Sequence, residues 1–469
     1  MSMKLRFLGA ARNVTGSRYL LDARDMRVLI DCGIYQERDL KVRNWEPFPV
    51  PPDSIDAVLL THAHLDHSGY LPKLVKDGFE GKIFATAPTS DIAKIALLDS
   101  AHLLTEDMEF KKKRHEREDR KGPHPYTPLY EEKDVQDTLP LFTDVEYGET
   151  VEVAGGIEAS FHDAGHILGA AMIKVTVNQD GKPVTILFSG DVGRWDKPIL
   201  RDPTCFEQAD YVVTESTYGD RLHEDGEDVI NDKLCDVINS TRERGGNIVI
   251  PSFAIERAQE VLYRLNTLLL DDCIPHTMVF LDSPMATKVT EVFKHYPDLY
   301  DEEMSQLVRE GNSPFRFPSL KLVTTVQDSK AINHIKGTIV VIAGSGMCTG
   351  GRIKHHLTAN ISRPESTILF VGYQARGTLG RVIVEGAEEV RIHGQKKPVR
   401  AKIVEIDGFS SHADKNELMG WLSTLKNAPR HVFVTHGDEE AAVYFAGLLR
   451  EEKHWETTAP AYGEEFNLD

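Results

Sequence analysis

Cysteine is scarce in this chain, and its few cysteines are not paired by spacing. The five, Cys32, Cys205, Cys235, Cys273 and Cys348, are odd in number, scattered, and nowhere arranged as CxxC. That spacing argues against a disulfide framework and against a thiolate zinc knuckle, and leaves free thiols as the expectation. No apolar run approaches the length needed to span a bilayer, so no membrane partner is expected. The opening Met1-Ser2-Met3-Lys4-Leu5-Arg6-Phe7-Leu8 has no apolar signal core and enters a strand-like pattern at once. The cytoplasm is therefore the expected compartment. Tandem repeats and low-complexity tracts are missing. Positive charge is in deficit: 54 Lys and Arg stand against 73 Asp and Glu, a formal net charge of -19. That balance counts against gross, non-specific binding of polyanions, though not against a local cationic site.

What is there reads as an ordinary globular protein, with 41% hydrophobic and 27% charged residues. A length of 469 residues exceeds what one core usually serves, so two domains are expected. Strand-like runs alternate with helical stretches, which makes the class α/β. The runs are 57–60, 185–188, 211–213, 247–250, 278–281, 338–342, 367–371 and 431–434. Several are wholly apolar rather than alternating, as for strands covered on both faces. The basic run 111–117 lies in a helical stretch and reads as a solvated face.

Polar residues gather where the strands end, the place where α/β proteins build sites. Asp31 closes the run 27–30. His62, His64, Asp66 and His67 stand together after 57–60, four good ligands within six consecutive positions. His166 lies in Asp163-Ala164-Gly165-His166, Asp191 in Ser189-Gly190-Asp191, and His436 just beyond 431–434. Imidazoles and carboxylates without thiolate favour zinc, with manganese or iron as alternatives. A carboxylate such as Asp191 has two oxygens and can bridge two cations.

These motifs resemble the metallo-β-lactamase superfamily: a leading Asp, HxHxDH, a downstream AGH and an SGD. Thr214-Glu215-Ser216-Thr217-Tyr218-Gly219, Phe409-Ser410-Ser411-His412-Ala413-Asp414 and Val434-Thr435-His436-Gly437 are similar to motifs A, B and C of its β-CASP branch. Within that branch the chain resembles the short bacterial ribonucleases and the endonuclease subunit of the cleavage and polyadenylation specificity factor. The glycine-rich segments 343–352 and 372–380 are especially like the short bacterial enzymes.

The resemblance implies an αββα metallo-β-lactamase sandwich interrupted by an α/β β-CASP cap. On that layout residues 1–206 and 386–469 form the two parts of the metallo-β-lactamase domain, and 207–385 the cap, with Glu215 inside it. Two zinc ions per chain are implied. His62, His64 and His166 would hold the first, Asp66, His67 and His436 the second, and Asp191 both, while Asp31 orients ligands without binding metal. The implied activity is zinc-dependent hydrolysis of phosphodiester bonds in single-stranded RNA, for RNA processing or decay, with a hydroxide bridging the metals as nucleophile. Asp66, Glu215 and His412 are the expected catalytic residues, His412 supplying a proton to the leaving oxygen. Ser345, Gly346, Gly350, Gly351, Arg352 and Arg376 are the expected substrate contacts, with Arg257 and Arg381 as further candidate cations. Whether two copies pair as a homodimer, and whether cutting is internal or from the 5′ end, stays open. Two rival readings are a small-molecule, thioester-type metallo-hydrolase and a catalytically silent scaffold for RNA processing. A di-iron electron-transfer protein is a third, though no flavin partner domain is recognisable.

Overall fold

The computed structural model describes residues 3–119, 126–179, 181–223, 226–375 and 377–468. They form two compact units. The first comprises Met1–Trp195, Asp202–Leu222 and His412–Asp469; the second comprises Asp196–Arg201 and His223–Ser411.

The first unit contains two seven-stranded sheets. One runs Glu465–Leu468, Met3–Gly9, Arg18–Ala23, Met26–Ile30, Ala57–Leu59, Lys82–Thr86, Phe142–Val145. The other runs Thr457–Thr458, His431–Val434, Tyr211–Thr214, Lys182–Phe188, Ala171–Gln179, Ile157–Asp163, Thr150–Ala154. Alternate residues of both sheets meet in one core: Leu5, Phe7, Val28 and Ile30 from the first, Ile173, Val175, Ile186 and Phe188 from the second. The residues between them, such as Leu29, Val58, Leu187 and Val212, are also fully buried. Helices cover those outer faces, Ala87–Arg117 on the first sheet and Glu439–Lys453 on the second. Burial on both faces is why the strands read as continuous apolar runs.

The second unit is built on a six-stranded, wholly parallel sheet in the order Leu320–Leu322, Met278–Asp282, Ile339–Ala343, Ile248–Pro251, Thr367–Phe370, Lys402–Glu405. Helix Ile353–Asn360 packs on it through Ile353 and Leu357.

The units part at different places from the sequence-based bounds of 206 and 385. Tyr211–Thr214 pairs in parallel with Lys182–Phe188 on one side and His431–Val434 on the other, so it belongs to the first unit. Lys402–Glu405 pairs with Thr367–Phe370 and belongs to the second. Glu215, expected in the inserted segment, thus stands in the same unit as His412. The run 111–117 ends helix Ala87–Arg117, and Lys111, Lys113 and Arg114 pair with Asp107, Glu109 and Glu118 of the same segment. All five cysteines are free thiols, yet Cys235 and Cys273 bring their Sγ atoms to 2.7 Å.

Candidate metal centre

Strand ends deliver the polar residues to one place. Asp31 follows Met26–Ile30, the segment His62–His67 follows Ala57–Leu59, His166 follows Ile157–Asp163, Asp191 follows Lys182–Phe188, and His436 follows His431–Val434. Asp31 and His436 hold φ of 59° and 48°, left-handed backbone that is strained for non-glycine residues and gathers at functional sites. Gly190 (φ 53°) needs its lack of a side chain, since a Cβ there would lie 2.9 Å from Thr61 Cβ.

The side chains converge as two sets. In the first, His62 Nε2 lies 3.1 Å from His64 Nδ1, and His166 Nε2 lies 3.4 Å from the same atom. Asp191 Oδ2 is 3.4 Å from His62 Nε2 and 3.5 Å from His166 Nε2. In the second, His67 Nε2 and His436 Nε2 are 3.0 Å apart, and Asp66 Oδ2 is 3.7 Å from His436 Nε2. Asp191 Oδ1 is 3.3 Å from His67 Nε2. Donors around one tetrahedral zinc, each ~2.0–2.1 Å from the ion, sit roughly 3.3 Å apart. Both sets match that spacing. Lone pairs facing one another across such distances repel unless a cation or proton stands between them. Asp191 Oδ1 is buried and accepts no hydrogen bond, which buried carboxylate oxygens rarely tolerate. The donor set therefore fits bound metal.

The nitrogens turned away from the centre are fixed by neighbours. Thr61 donates its hydroxyl to Asp31 Oδ2 (2.9 Å), so its oxygen is left to accept from His62 Nδ1 at 3.0 Å. Asp31 accepts from His67 Nδ1 at 2.7 Å. Thr217 donates its hydroxyl to the His436 carbonyl (3.0 Å) and accepts from His436 Nδ1 at 3.1 Å. In all three imidazoles Nδ1 has a fixed acceptor, which leaves Nε2 as the nitrogen that can hold a metal.

Electrostatics divide the histidines into two groups. Burial pulls the His62 imidazole down to about 3, with the His67 charge adding to it, and burial pulls His64 down to about 4. Burial also lowers His166, helped by His412. These rings are neutral, the form that binds metal. Burial works against ionising Asp191, but His436, His67 and His62 outweigh it and hold the carboxyl well below its usual range. Burial likewise opposes charge on His67 and His436, yet Asp191 raises both, aided by Asp31 on His67 and by Asp66 on His436.

Glu215 and His412 meet beside this centre. The buried Glu215 carboxylate accepts from Val192 N at 2.6 Å and faces His412 Nδ1 at 3.3 Å from both its oxygens. Ser189 Oγ fixes the Glu215 backbone, 3.0 Å from its N–H. Burial disfavours the imidazolium, but Glu215, then Asp191 and Asp66, push His412 up to about 9. His412 Nδ1 is 3.9 Å from Asp191 Oδ2, and the ring is 21% exposed while Asp191 and Glu215 are closed in.

The expected substrate contacts lie in the second unit. Ser345 Oγ accepts from Thr349 N (3.1 Å) and Gly350 N (3.3 Å), which folds the turn holding Gly346 and Gly351 back on itself. Arg352 does not stand as a loose cation. Its guanidinium donates to Asp282 Oδ1 at 2.6 Å and to the Val323 and Thr324 carbonyls. Arg257 is buried, and donates to the Val371 carbonyl. Arg381 pairs with Glu385 on the surface. Arg376 lies outside the described residues. Sequence reasoning missed Thr61, Thr217 and Ser189. Thr61, next to His62, and Thr217, inside the segment already quoted, had adjacency as their only signal.

Comparison with known proteins places these features. Residues 20–194 match a metallo-beta-lactamase superfamily domain, 258–383 a Beta-Casp domain, and 396–460 a Zn-dependent metallo-hydrolase RNA specificity domain. A ribonuclease of Thermus thermophilus is 39% identical over 95% of this chain and 96% of its own length. A transcription termination factor, FttA, of Methanosarcina mazei is 32% identical over 97% of this chain and 70% of its own. A crystal structure of a protein of unknown function from Enterococcus faecalis shares the fold, with a TM-score of 0.54 at 12% identity and full coverage of both chains. With its strand-end histidines and aspartates gathered in one unit and these relatives aligned along nearly its whole length, the chain belongs to the β-CASP branch of the metallo-β-lactamase superfamily.

Proposed function

We propose that this protein is a zinc-dependent ribonuclease that hydrolyses phosphodiester bonds of single-stranded RNA. One observation carries the metal reading: the two oxygens of Asp191 are divided between two donor sets, Oδ2 toward His62 Nε2 and His166 Nε2, Oδ1 toward His67 Nε2. His62, His64 and His166 would hold one zinc, Asp66, His67 and His436 the other, with Asp191 shared. When bound, the ion pair supplies charge to neutralise phosphoryl oxygens and acidity to ready a water for attack. Around it, Asp31, Thr61 and Thr217 keep three imidazoles in one tautomer. Glu215 keeps a proton on His412 Nδ1 and favours the charged ring, so that Nε2 can pass its proton to the leaving oxygen.

The substrate class rests on the relatives, one named as a ribonuclease and aligned along almost its whole length, and on the RNA specificity domain. Among the described residues no helix is long and apolar enough to cross a membrane, and the cytoplasm remains part of the proposal. The test offers the enzyme an unstructured RNA, the same RNA annealed to its complement, and a glutathione thioester. Cleavage of the first, with 5′-phosphate and 3′-hydroxyl ends, is expected, with little of the second and none of the third. Rapid thioester hydrolysis with intact RNA would overturn the reading.

A further inference from the structure

Two large aromatic side chains of the second unit stand in solvent at the same edge of its parallel sheet. Phe253 follows strand Ile248–Pro251 and is 38% exposed; Tyr373 follows the neighbouring strand Thr367–Phe370 and is 49% exposed. The glycine turn beginning at Gly344 follows Ile339–Ala343, the strand on the other side of Ile248–Pro251. All three are carboxyl ends of adjacent parallel strands, where open α/β sheets take their ligands.

The turns are shaped around the Phe253 ring. A Cβ on Gly346 would lie 2.8 Å from Phe253 Cδ2, and one on Gly372 would lie 3.5 Å from Phe253 Cε2. Bare backbone thus grips the ring at its edge, where any side chain at 346 would push it aside. Gln374 then ties the turns together: its Nε2 donates to the Gly346 carbonyl at 3.1 Å and to the Gly372 carbonyl at 2.8 Å. Tyr373 sits between Gly372 and Gln374 and is positioned by that tie. Core packing does not account for a Phe253 ring held at its edge and left wet beside an exposed Tyr373.

We propose that Phe253 and Tyr373 are stacking platforms for the bases of the single-stranded RNA named above. The inference rests on that substrate reading. Stacking suits an enzyme whose net charge of -19 gives it little general attraction for a polyanion, because every base has a π-face whatever its sequence. It also favours an unpaired strand, whose bases are open on their faces. A flat ring held rigidly loses little side-chain freedom on binding.

The experiment compares wild type with Phe253→Leu, Tyr373→Ala and Tyr373→Phe. Leucine keeps apolar volume at 253, and Tyr373 is exposed enough for its loss to spare the fold; circular dichroism and zinc content check both. Stopped-flow mixing with an RNA carrying 2-aminopurine reads stacking as fluorescence quenching before turnover. Phe253→Leu and Tyr373→Ala are expected to lose quenching and to raise KM for RNA roughly tenfold each. Their kcat and their hydrolysis of bis(p-nitrophenyl) phosphate, a diester without bases, should be unchanged, and Tyr373→Phe should behave as wild type. Quenching and KM equal to wild type in both variants overturn the platforms. Failure of the wild type to cut RNA at all overturns the substrate reading instead, and quenching that persists in Phe253→Leu and Tyr373→Ala then overturns the platforms as well.

Discussion

Asp191 is surrounded by imidazoles and has one oxygen that no hydrogen bond reaches. Replacing it by Asn keeps the shape and removes the shared charge, so Asp191→Asn should purify with both metals depleted. His64→Ala should lose metal and activity together. His412→Ala should keep its zinc yet lose activity about a hundred- to ten-thousand-fold, the usual contribution of a general acid. Metal analysis beside a rate measurement separates the two; release of zinc from His412→Ala would show that it is a ligand. Thr217 touches only one of the two donor sets. Thr217→Val should therefore weaken one zinc of the pair, by roughly 10- to 100-fold, and spare the other. Competition with a chromogenic chelator would show two sites of unequal affinity. The ligands were legible in the sequence because a histidine–aspartate cluster as dense as His62–His67 has no packing rationale. Thr61 and Thr217 were not, since threonine is common and its role depends on which proton it gives away. The pairing of Arg352 with Asp282, seventy residues earlier in the chain, had no signal in the sequence either.

Helix Arg257–Leu270 carries a buried charge cluster in the second unit. Glu260 Oε1 lies 2.7 Å from Lys197 Nζ and 2.8 Å from Arg264 Nη2. Burial opposes its ionisation, but Lys197, Arg264 and Arg257 hold the carboxyl down at about 2. The unfolded chain takes up this proton near pH ~4.3. Stability from the cluster is thus complete above that pH and is lost as pH falls toward 2, about 3 kcal/mol in all. Urea titrations of wild type between pH 5 and 3 should show that slope, and Glu260→Gln should be destabilised at neutral pH with a flatter profile. An equal slope in both proteins would mean that other carboxylates set acid stability. On the neighbouring helix Glu227–Glu243, Cys235 faces Cys273 with 2.7 Å between sulfurs. Diamide should draw one hydrogen from each thiol and join them, read as the loss of two alkylation sites. Burial, then Cys273, Asp236 and Asp232, push Cys235 up to about 11, so joining should run faster at pH 9 than at pH 7. Thiols that stay alkylatable at pH 9 would count against the pairing. Sequence spacing could not foretell this meeting of residues 38 positions apart. Nor could it settle the unit boundaries: Tyr211–Thr214 is apolar on both faces and reads alike whichever sheet it joins. Runs such as 431–434 were legible because burial on two faces leaves an unbroken apolar signature.

For the molecule entire, net charge makes salt a strong variable. A chain at -19 must bind RNA through a few local cations and bound metal, so KM for RNA should rise as salt rises. With about three phosphates contacted, a tenfold increase in salt should weaken binding roughly a hundredfold. A KM that ignores salt would point to binding by base contacts alone. The order in which the first unit is completed has a further effect. Its donor set waits for His436, and the free edge of its first sheet waits for Glu465–Leu468 to pair with Met3–Gly9. A growing polypeptide therefore holds His62, His64 and His166 long before it holds the residues that finish the centre. Until His436 has been made the centre lacks one of its donors, so complete metal binding has to follow synthesis of that residue.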